Sequence, residues 1–330
     1  MAKDSFSQAT LDDILRDVIN EIFKRGETIF PTKGEAREIS GVLLEITNPL
    51  ARLSRTETRG RIFSALGELC WYLAGSRRVE FIAYYIKEYL KLAEDGEIHG
   101  AYGPRLFKWR GVNQISNVIN ILRQKSNSRQ AVIQLFDAHD VSERHEDVPC
   151  TCTLQFMQRD RKVYLIVNMR SNDVHWGLPH DVFCFTMLQE IIAKSLKVEV
   201  GTYKHFVGSL HLYVKHTNAA KGFLKEGFQR TSPVMPPMPT DDPWPSIGRL
   251  LKAESAIRNG EALDESQLEG VDAYWVDFVR LLQLYAIDKL KSADTKVEAA
   301  IAVQEKMSPA YRHFTERFVR RIEVRKPVGD

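Results

Sequence analysis

No stretch of this 330-residue sequence approaches the roughly 18 consecutive apolar residues that a membrane-spanning helix needs. The opening residues, MAKDSFSQATLDD, lack the apolar core of a secretory signal. Cysteine is scarce. Cys70, Cys150, Cys152 and Cys184 are the only four, three of them near apolar runs, which argues against a disulfide framework and for reduced thiols in a cytoplasmic setting. Charge of one sign is also lacking. The 46 Lys and Arg nearly balance the 43 Asp and Glu and are interleaved with them, so a protein that coats nucleic acid is not expected. There is no internal repeat. What remains is a mixed globular chain long enough to bury a large core, as one domain or as a domain with an appendage.

Periodicity places the elements. Leu11, Ile14, Leu15, Val18, Ile19 and Ile22 recur at helical spacing behind Thr10, a good N-cap. SGVLLEITNP alternates as a strand stopped by Asn-Pro. TRGRIFSALGELCWYLAGS reads as a buried helix ending at Gly75, with the carboxylate of Glu68 close to an apolar face. A second helical segment is expected over about 78–94, and VNQISNVINILRQK is another amphipathic helix. QAVIQLF, TCTLQFMQ and KVYLIVNM are strand candidates, the last two joined by the turn RDRK. A helix over about 181–196 leads into VEVGTYKHFVGSLHLYVKH, expected as strand, bulge and strand. SPVMPPMPTDDPWP holds six of the thirteen prolines, which marks a change of character there. The organisation expected is therefore a mixed α+β domain over 1–230, a Pro-rich linker over 231–245 and a charged helical extension over 246–330.

Several residues could carry chemistry. Cys150 follows Pro149 at the mouth of a strand, where a thiol is exposed but held still; a merely structural cysteine would look the same in isolation. His139, His145, Cys150 and Cys152 contain metal-ligand types, but their spacings match none of the common closed zinc sites, so no metal is expected. Arg170 and Ser171 follow a strand in RSNDV and together could cradle an anion, although a solvated loop reads alike. Arg129 stands at another strand entrance. His211 and Tyr213 alternate on one face of a strand and could both reach a sugar hydroxyl, or could simply be core residues.

In this order, GELCWYLAG, AYG, SRQ, VPC, RSNDVHWGLPHD and GSLHLY resemble the thymidylate synthase family, including its nucleotide hydroxymethylases, over residues 56–216. The resemblance implies an α+β fold whose large mixed sheets pack back to back in a homodimer, and methylenetetrahydrofolate as co-substrate. It makes Cys150 the nucleophile that adds to pyrimidine C6, Glu68 the buried glutamate that organises water and protons, and Tyr102 the loop tyrosine near the nucleophile. Arg170 and Ser171 match the phosphate-binding pair, and Arg129 an arginine that crosses the dimer to the partner's phosphate, its usual second arginine being Gln130 here. Asp173 matches the aspartate next to the pyrimidine, and His211 with Tyr213 the pair on the sugar 3′-hydroxyl. For the N-terminal phosphate-loop arginine the nearest equivalent is Lys33 in PTKGE.

The departures from the family bear on the substrate. Asp181 stands where thymidylate synthases carry asparagine. An asparagine amide matches uracil, accepting from N3–H and donating to O4, whereas a carboxyl that holds a proton can give to cytosine N3 and receive from the 4-amino group. Cytidylate hydroxymethylases of the family show the same exchange; drift, or an Asp that caps the helix at 181–196, are the plainer readings. The stretch YIKEYLKLAEDGE lacks the tryptophans that usually shield the methylene intermediate, which favours water over hydride. The Pro-rich and helical C-terminal region replaces the short segment that usually closes over folate.

The expectation is thus folate-dependent C5-hydroxymethylation of a pyrimidine nucleoside monophosphate, CMP or dCMP. The alternatives are a divergent thymidylate synthase that methylates dUMP and, from another class, a catalytically silent nucleotide-binding or assembly protein. Cys150, Glu68 and Tyr102 standing together argue against the last.

Overall fold

Alternating apolar residues build one large sheet, and three-to-four-residue spacing builds the helices that cover it. The computed structural model describes residues 4–54, 62–227, 234–289 and 293–324. The strands are β1 (Ser5–Gln8), β2 (Glu27–Ile29), β3 (Ala36–Ile46), β4 (Val132–Gln134), β5 (Thr151–Arg159), β6 (Lys162–Asp173) and β7 (Glu199–Tyr213). The helices are α1 (Leu11–Arg25), α2 (Ile62–Leu73), α3 (Val79–Tyr85), α4 (Tyr102–Phe107), α5 (Gln114–Gln124), α6 (Gly177–Ser195), α7 (Thr217–Lys225), α8 (Pro243–Arg258), α9 (Ala273–Ile287), α10 (Ala293–Glu305) and α11 (Arg312–Val324). The sheet order is β1-β3-β7-β6-β5-β4, with β2 paired to β3. It is mixed: β1 runs parallel to β3 and β6 parallel to β7, while the other pairs are antiparallel. This is an α+β architecture.

Thr10 caps α1 by accepting the Asp13 N–H at 3.1 Å. The hairpin from β5 to β6 turns on Asp160 and Arg161, both at positive φ (47° and 57°), the twist a two-residue connection requires. β7 is assigned as one 15-residue strand but carries the bulge expected near Gly201: Val200 to Tyr203 spans three positions opposite two on β6, Val163 to Leu165. A second bulge lies on β5 between Thr151 and Thr153. The helix expected over 78–94 is shorter: α3 ends where Ile86 turns extended (φ −134°), and a 3-10 turn over Lys87–Lys91 follows. That break is what aims Tyr89 at α2.

α6, buried along nearly its whole length, lies against the sheet; the Gln189 amide donates to the carbonyls of Val163, Gly201 and Thr202 across β6 and β7. α2 packs on α6, and the α2–α3 contact is close because position 67 is glycine: a Cβ there would meet the Tyr85 ring at 2.1 Å. The C-terminal helices share this core. Tyr85 donates to Glu254 of α8 at 2.8 Å, and Tyr285 of α9 donates to the carbonyls of Tyr84 and Tyr85. Residues 234–242 run without regular structure along the body, and α8 begins at Pro243, capped by Asp242, earlier than the composition change suggests. They are tied down where Glu190, ion-paired with the fully buried Arg52 at 2.5 Å, also accepts the Met238 N–H at 2.7 Å. The boundary placed near residue 230 lies outside the described residues. Among those described, no helix is long and apolar enough to cross a membrane.

Candidate active site

Cys150 sits immediately before β5, and its carbonyl accepts the Arg170 N–H at 2.9 Å, which ties it to β6. The bulge that follows has one signature: the N–H groups of both Leu135 and Phe136 point at the Cys152 carbonyl. Period-two alternation therefore does not run from Cys150 to Cys152. Burial pushes the Cys150 thiol up, with Asp147 and Asp181 adding to the rise; Arg170 and Lys33 oppose it by favouring the thiolate. Lys33 thus lies within electrostatic reach of the nucleophile although 117 positions separate them in the chain.

Tyr102 opens α4 and lies buried beside the nucleophile. Its hydroxyl oxygen accepts from both the backbone N–H (3.1 Å) and the side-chain hydroxyl (2.9 Å) of Thr151, the residue after Cys150. With its oxygen so engaged, the phenol proton is directed elsewhere. The Tyr102 ring approaches that of Tyr72 at 5.2 Å between centroids, and Tyr72 leads to Glu68 one turn back on α2.

Glu68 is buried, and both Tyr72 (3.1 Å) and Tyr89 (3.0 Å) donate to its Oε1. Burial pushes its carboxyl up to about 7 from an ordinary 4.5, against the two phenol bonds and with the nearby Asp147 adding to the rise. A carboxyl poised near neutrality can both give and take a proton, as general acid–base work requires. The shift also has a cost in stability. From pH 4.5 to about 7 the unfolded chain releases a proton that the folded protein retains. This group's contribution therefore falls with rising pH, by about 3 kcal/mol in full. Glu68→Gln removes that loss and its amide oxygen can still accept both phenol bonds. The melting-temperature advantage of this variant over the native protein should widen from about pH 5 to about pH 8; a constant difference by calorimetry contradicts the buried neutral carboxyl.

Asp181 is not a helix cap. α6 starts four residues earlier, at Gly177, with Pro179 in the first turn, where the missing N–H has no intrahelical partner to lose. Asp173 instead orders the turn that enters the helix: its two carboxylate oxygens accept the N–H groups of His175 and Trp176, which precede Gly177, at 3.1 and 3.0 Å. Asp181 is freed for another task. It is buried, and the Asn172 side-chain amide donates to its Oδ2 at 2.6 Å. Burial first, and then the charge of Glu68, hold its carboxyl well above the usual range, which favours the protonated form. One turn on, the Cys184 thiol reaches the Ala65 carbonyl of α2 at 3.7 Å, which sets this face of α6 against the turn that carries Glu68.

Arg170 is exposed; its Nε and Nη2 donate to the carbonyls of Pro149 and Val148, so it braces the nucleophile's loop. Ser171 pairs with Ser209, and Asp173 with His211, across the parallel β6–β7 ladder. The His211 and Tyr213 rings meet edge to face at 4.9 Å. Tyr213 is held above its ordinary value by burial, with Asp173 and Cys150 adding to the effect, which places it near the nucleophile. Arg129 is exposed, beyond electrostatic or hydrogen-bond contact through its guanidinium with any described residue; its carbonyl accepts from Gln155 at 3.1 Å. One chain thus brings Cys150, Glu68, Tyr102, Asp181, Tyr213, Arg170 and Lys33 to one region and leaves Arg129 apart.

The four zinc candidates do not meet. His145 hydrogen-bonds Glu94 at 3.0 Å and stacks on His99, and among the described residues no three His, Cys, Asp or Glu side chains are grouped to hold a metal ion. Tyr72, Tyr89, Asn172 and Asp147 were missed as site residues. Asn172 lies inside the motif RSNDV, and Asp147 three positions before Cys150, so position alone could have flagged them. Nothing local signals the convergence of Tyr72 and Tyr89 on one carboxylate oxygen.

Comparison with known proteins agrees with this arrangement. Residues 16–241 match the thymidylate synthase family. A deoxyuridylate hydroxymethyltransferase of Bacillus phage SP01 is 30% identical over 225 residues, covering 64% of this chain and 59% of that protein. One of Pseudomonas phage M6 is 31% identical over 163 residues, 47% of this chain and 46% of that protein. One of Delftia phage PhiW-14 is 28% identical over 279 residues, 78% of this chain and 72% of that protein. The chain spans about half to three-fifths of the length of the first two relatives. With the match extending over well more than half of its length, and a thiol, a near-neutral glutamate and a mixed sheet in place, the chain belongs to the thymidylate synthase family.

Proposed function

We propose that the protein hydroxymethylates C5 of a cytidine-type nucleoside 5′-monophosphate, CMP or dCMP. Methylenetetrahydrofolate supplies the one-carbon unit at the oxidation level of formaldehyde. In this proposal its ring system rests against the half-buried Tyr89, whose hydroxyl bonds Glu68. Arg170, Ser171 and Lys33 hold the phosphate, and His211 and Tyr213 the sugar. Cys150 adds to C6, with Arg170 and Lys33 favouring its thiolate.

The observation that carries the choice of base is the buried Asp181, its Oδ2 engaged by Asn172 and its carboxyl pushed by burial toward the neutral form. In this reading its remaining oxygen carries the proton that burial favours. Hydrogen-bond counting alone lets a neutral acid pair with either pyrimidine. What separates the two is proton affinity. Cytosine N3 is a ring nitrogen with a basicity close to that of a carboxylate, and thiolate addition at C6 drives further negative charge onto it. A carboxylic acid can hand over its proton there as the charge develops. Uracil already carries hydrogen on N3 and presents at O4 a weakly basic carbonyl, for which an amide donor suffices.

A second reading is hydroxymethylation of deoxyuridylate, favoured by the names of the three phage relatives. Those names support the hydroxymethyl product in either reading and count against methylation to thymidylate. Tritium release from C5-labelled CMP, dCMP and dUMP in competition tests the base: preferential release from dUMP refutes the cytosine reading and supports the second.

The protein acts as a homodimer in this proposal. On the sheet face turned away from α6, Leu43, Met157, Tyr164, Ile166 and Phe206 stay half-buried or exposed, with Phe206 at 37%. Register brings Phe206 between Leu43 and Asn168, and Met157 opposite Tyr164, so these side chains form a continuous patch suited to a second copy. Gln155, on the same face, donates to the Arg129 carbonyl, and in this proposal the exposed Arg129 side chain serves the partner's phosphate. Sedimentation at micromolar concentration should give twice the chain mass; a monomer contradicts the arrangement.

A further inference from the structure

Two phenols converge on a single oxygen of the glutamate that handles protons. Tyr72, one turn along α2, and Tyr89, delivered by the 3-10 turn after α3, both donate to Glu68 Oε1, at 3.1 and 3.0 Å. Oε2 receives no hydrogen bond from any described residue. The Tyr89 ring is itself braced edge-on against Trp71 at 5.4 Å. A carboxyl whose one oxygen accepts two bonds keeps its proton, when it has one, on the other.

We propose that Tyr89, together with Tyr72, is a positioning residue that pins Oε1 of Glu68 and so assigns Oε2 as the atom that takes the proton from the water adding to the C5 methylene. This inference rests on the hydroxymethylation reading. In the step, the water oxygen bonds to the exocyclic methylene carbon and the methylene π pair moves into the pyrimidine ring. The water proton passes to Glu68 Oε2. The ring pair then restores the C5–C6 double bond by expelling the Cys150 thiolate, with cleavage of the C6–S bond. Nothing is oxidised or reduced.

The groups that face Glu68 are Tyr72 on its own helix, Tyr89, Asp147 from the loop before β5, and Asp181 and Cys184 from α6. Burial and Asp147 raise its proton affinity, and the two phenols lower it. Tyr89→Phe deletes one of those bonds while keeping the ring against Trp71. Without it Glu68 holds its proton to higher pH, and the ascending limb of hydroxymethyl-product formation should move up by about half to one pH unit, a loss of about 3–10-fold near neutrality. Tyr72→Phe should do the same in smaller or equal measure. The Michaelis constant for the nucleotide should stay within about twofold, since no phosphate or sugar contact is altered.

The test measures product rate against pH for the native protein, Y89F and Y72F with methylenetetrahydrofolate and the preferred nucleotide. Infrared difference spectra over the same pH range, with E68Q to assign the band, follow protonation of Glu68 directly. An upward shift of both the limb and the carboxyl midpoint supports the proposal. A carboxyl midpoint unchanged in both variants overturns it, even where activity falls, because the phenols then only fill space. A shifted midpoint in a protein that forms no hydroxymethyl product sinks the hydroxymethylation reading and the water step with it, while leaving the pinning of Oε1 intact.

Discussion

Replacing Cys150 with Ala should abolish tritium release from C5-labelled nucleotide, by at least about 10⁴-fold, while leaving nucleotide binding in place. Exchange at C5 depends on saturating the C5–C6 bond, and only a nucleophile at C6 does that. The groups that hold the phosphate and sugar in our reading are Arg170, Ser171, Lys33, His211 and Tyr213, and none of them depends on the thiol. Cys150 is half-buried, its backbone is fixed by the Arg170 N–H, and removing one sulfur atom leaves that bond intact. Serine at this position should be almost as inactive, because a hydroxyl is far less acidic and less nucleophilic than a thiol. Isothermal titration of the nucleotide against C150A checks the retained binding. Persistent tritium release from C150A would remove the covalent mechanism.

Asp181→Asn should invert the choice of base. The side chains are the same size, and the amide oxygen can keep the bond from Asn172, so the fold of α6 is not disturbed. What disappears is a transferable proton. For cytosine, the charge driven onto N3 by addition at C6 is then met by an amide N–H that cannot be given up, and loss of a general acid costs about 10²–10⁴ in rate. For uracil nothing is lost, and the amide supplies a donor to O4 and an acceptor for N3–H. The ratio of kcat/KM for cytidylate to that for uridylate should therefore fall by about 10²–10⁴. An unchanged ratio would mean that the carboxyl does not touch the reactive edge of the base.

The sequence showed the site more readily than it showed how the site is tuned. Cys150, Tyr102, Arg170 and Asp181 stand in short motifs whose order is recognisable, and the fold brings these to one region. Asp181 was also open to a reading as a helix cap, because a helix drawn from residue 181 begins on an acid. The real start at Gly177 places a proline and a histidine inside the first turn, and Asp173 orders the turn before it. Likewise, the apolar period over 78–94 does not reveal the break at Ile86, which depends on packing against α2 and turns Tyr89 toward Glu68. Those contacts arise between elements distant in the chain, where no local spacing reports them. The same holds for Lys33, whose place near the thiol depends on the long pairing of β3 with β7. The C-terminal helices were recognisable as helices, but not their union with the core through Glu254, Tyr285 and the Arg52–Glu190 pair.

One incubation reads out the base and the product together. The purified protein is incubated with methylenetetrahydrofolate and an equimolar mixture of CMP, dCMP and dUMP, and the nucleotides are analysed by mass spectrometry. A cytosine nucleotide should gain CH₂O, with tetrahydrofolate released unoxidised and dUMP largely untouched. A dUMP that gains CH₂O instead, or that gains CH₂ with formation of dihydrofolate, would overturn hydroxymethylation of cytosine.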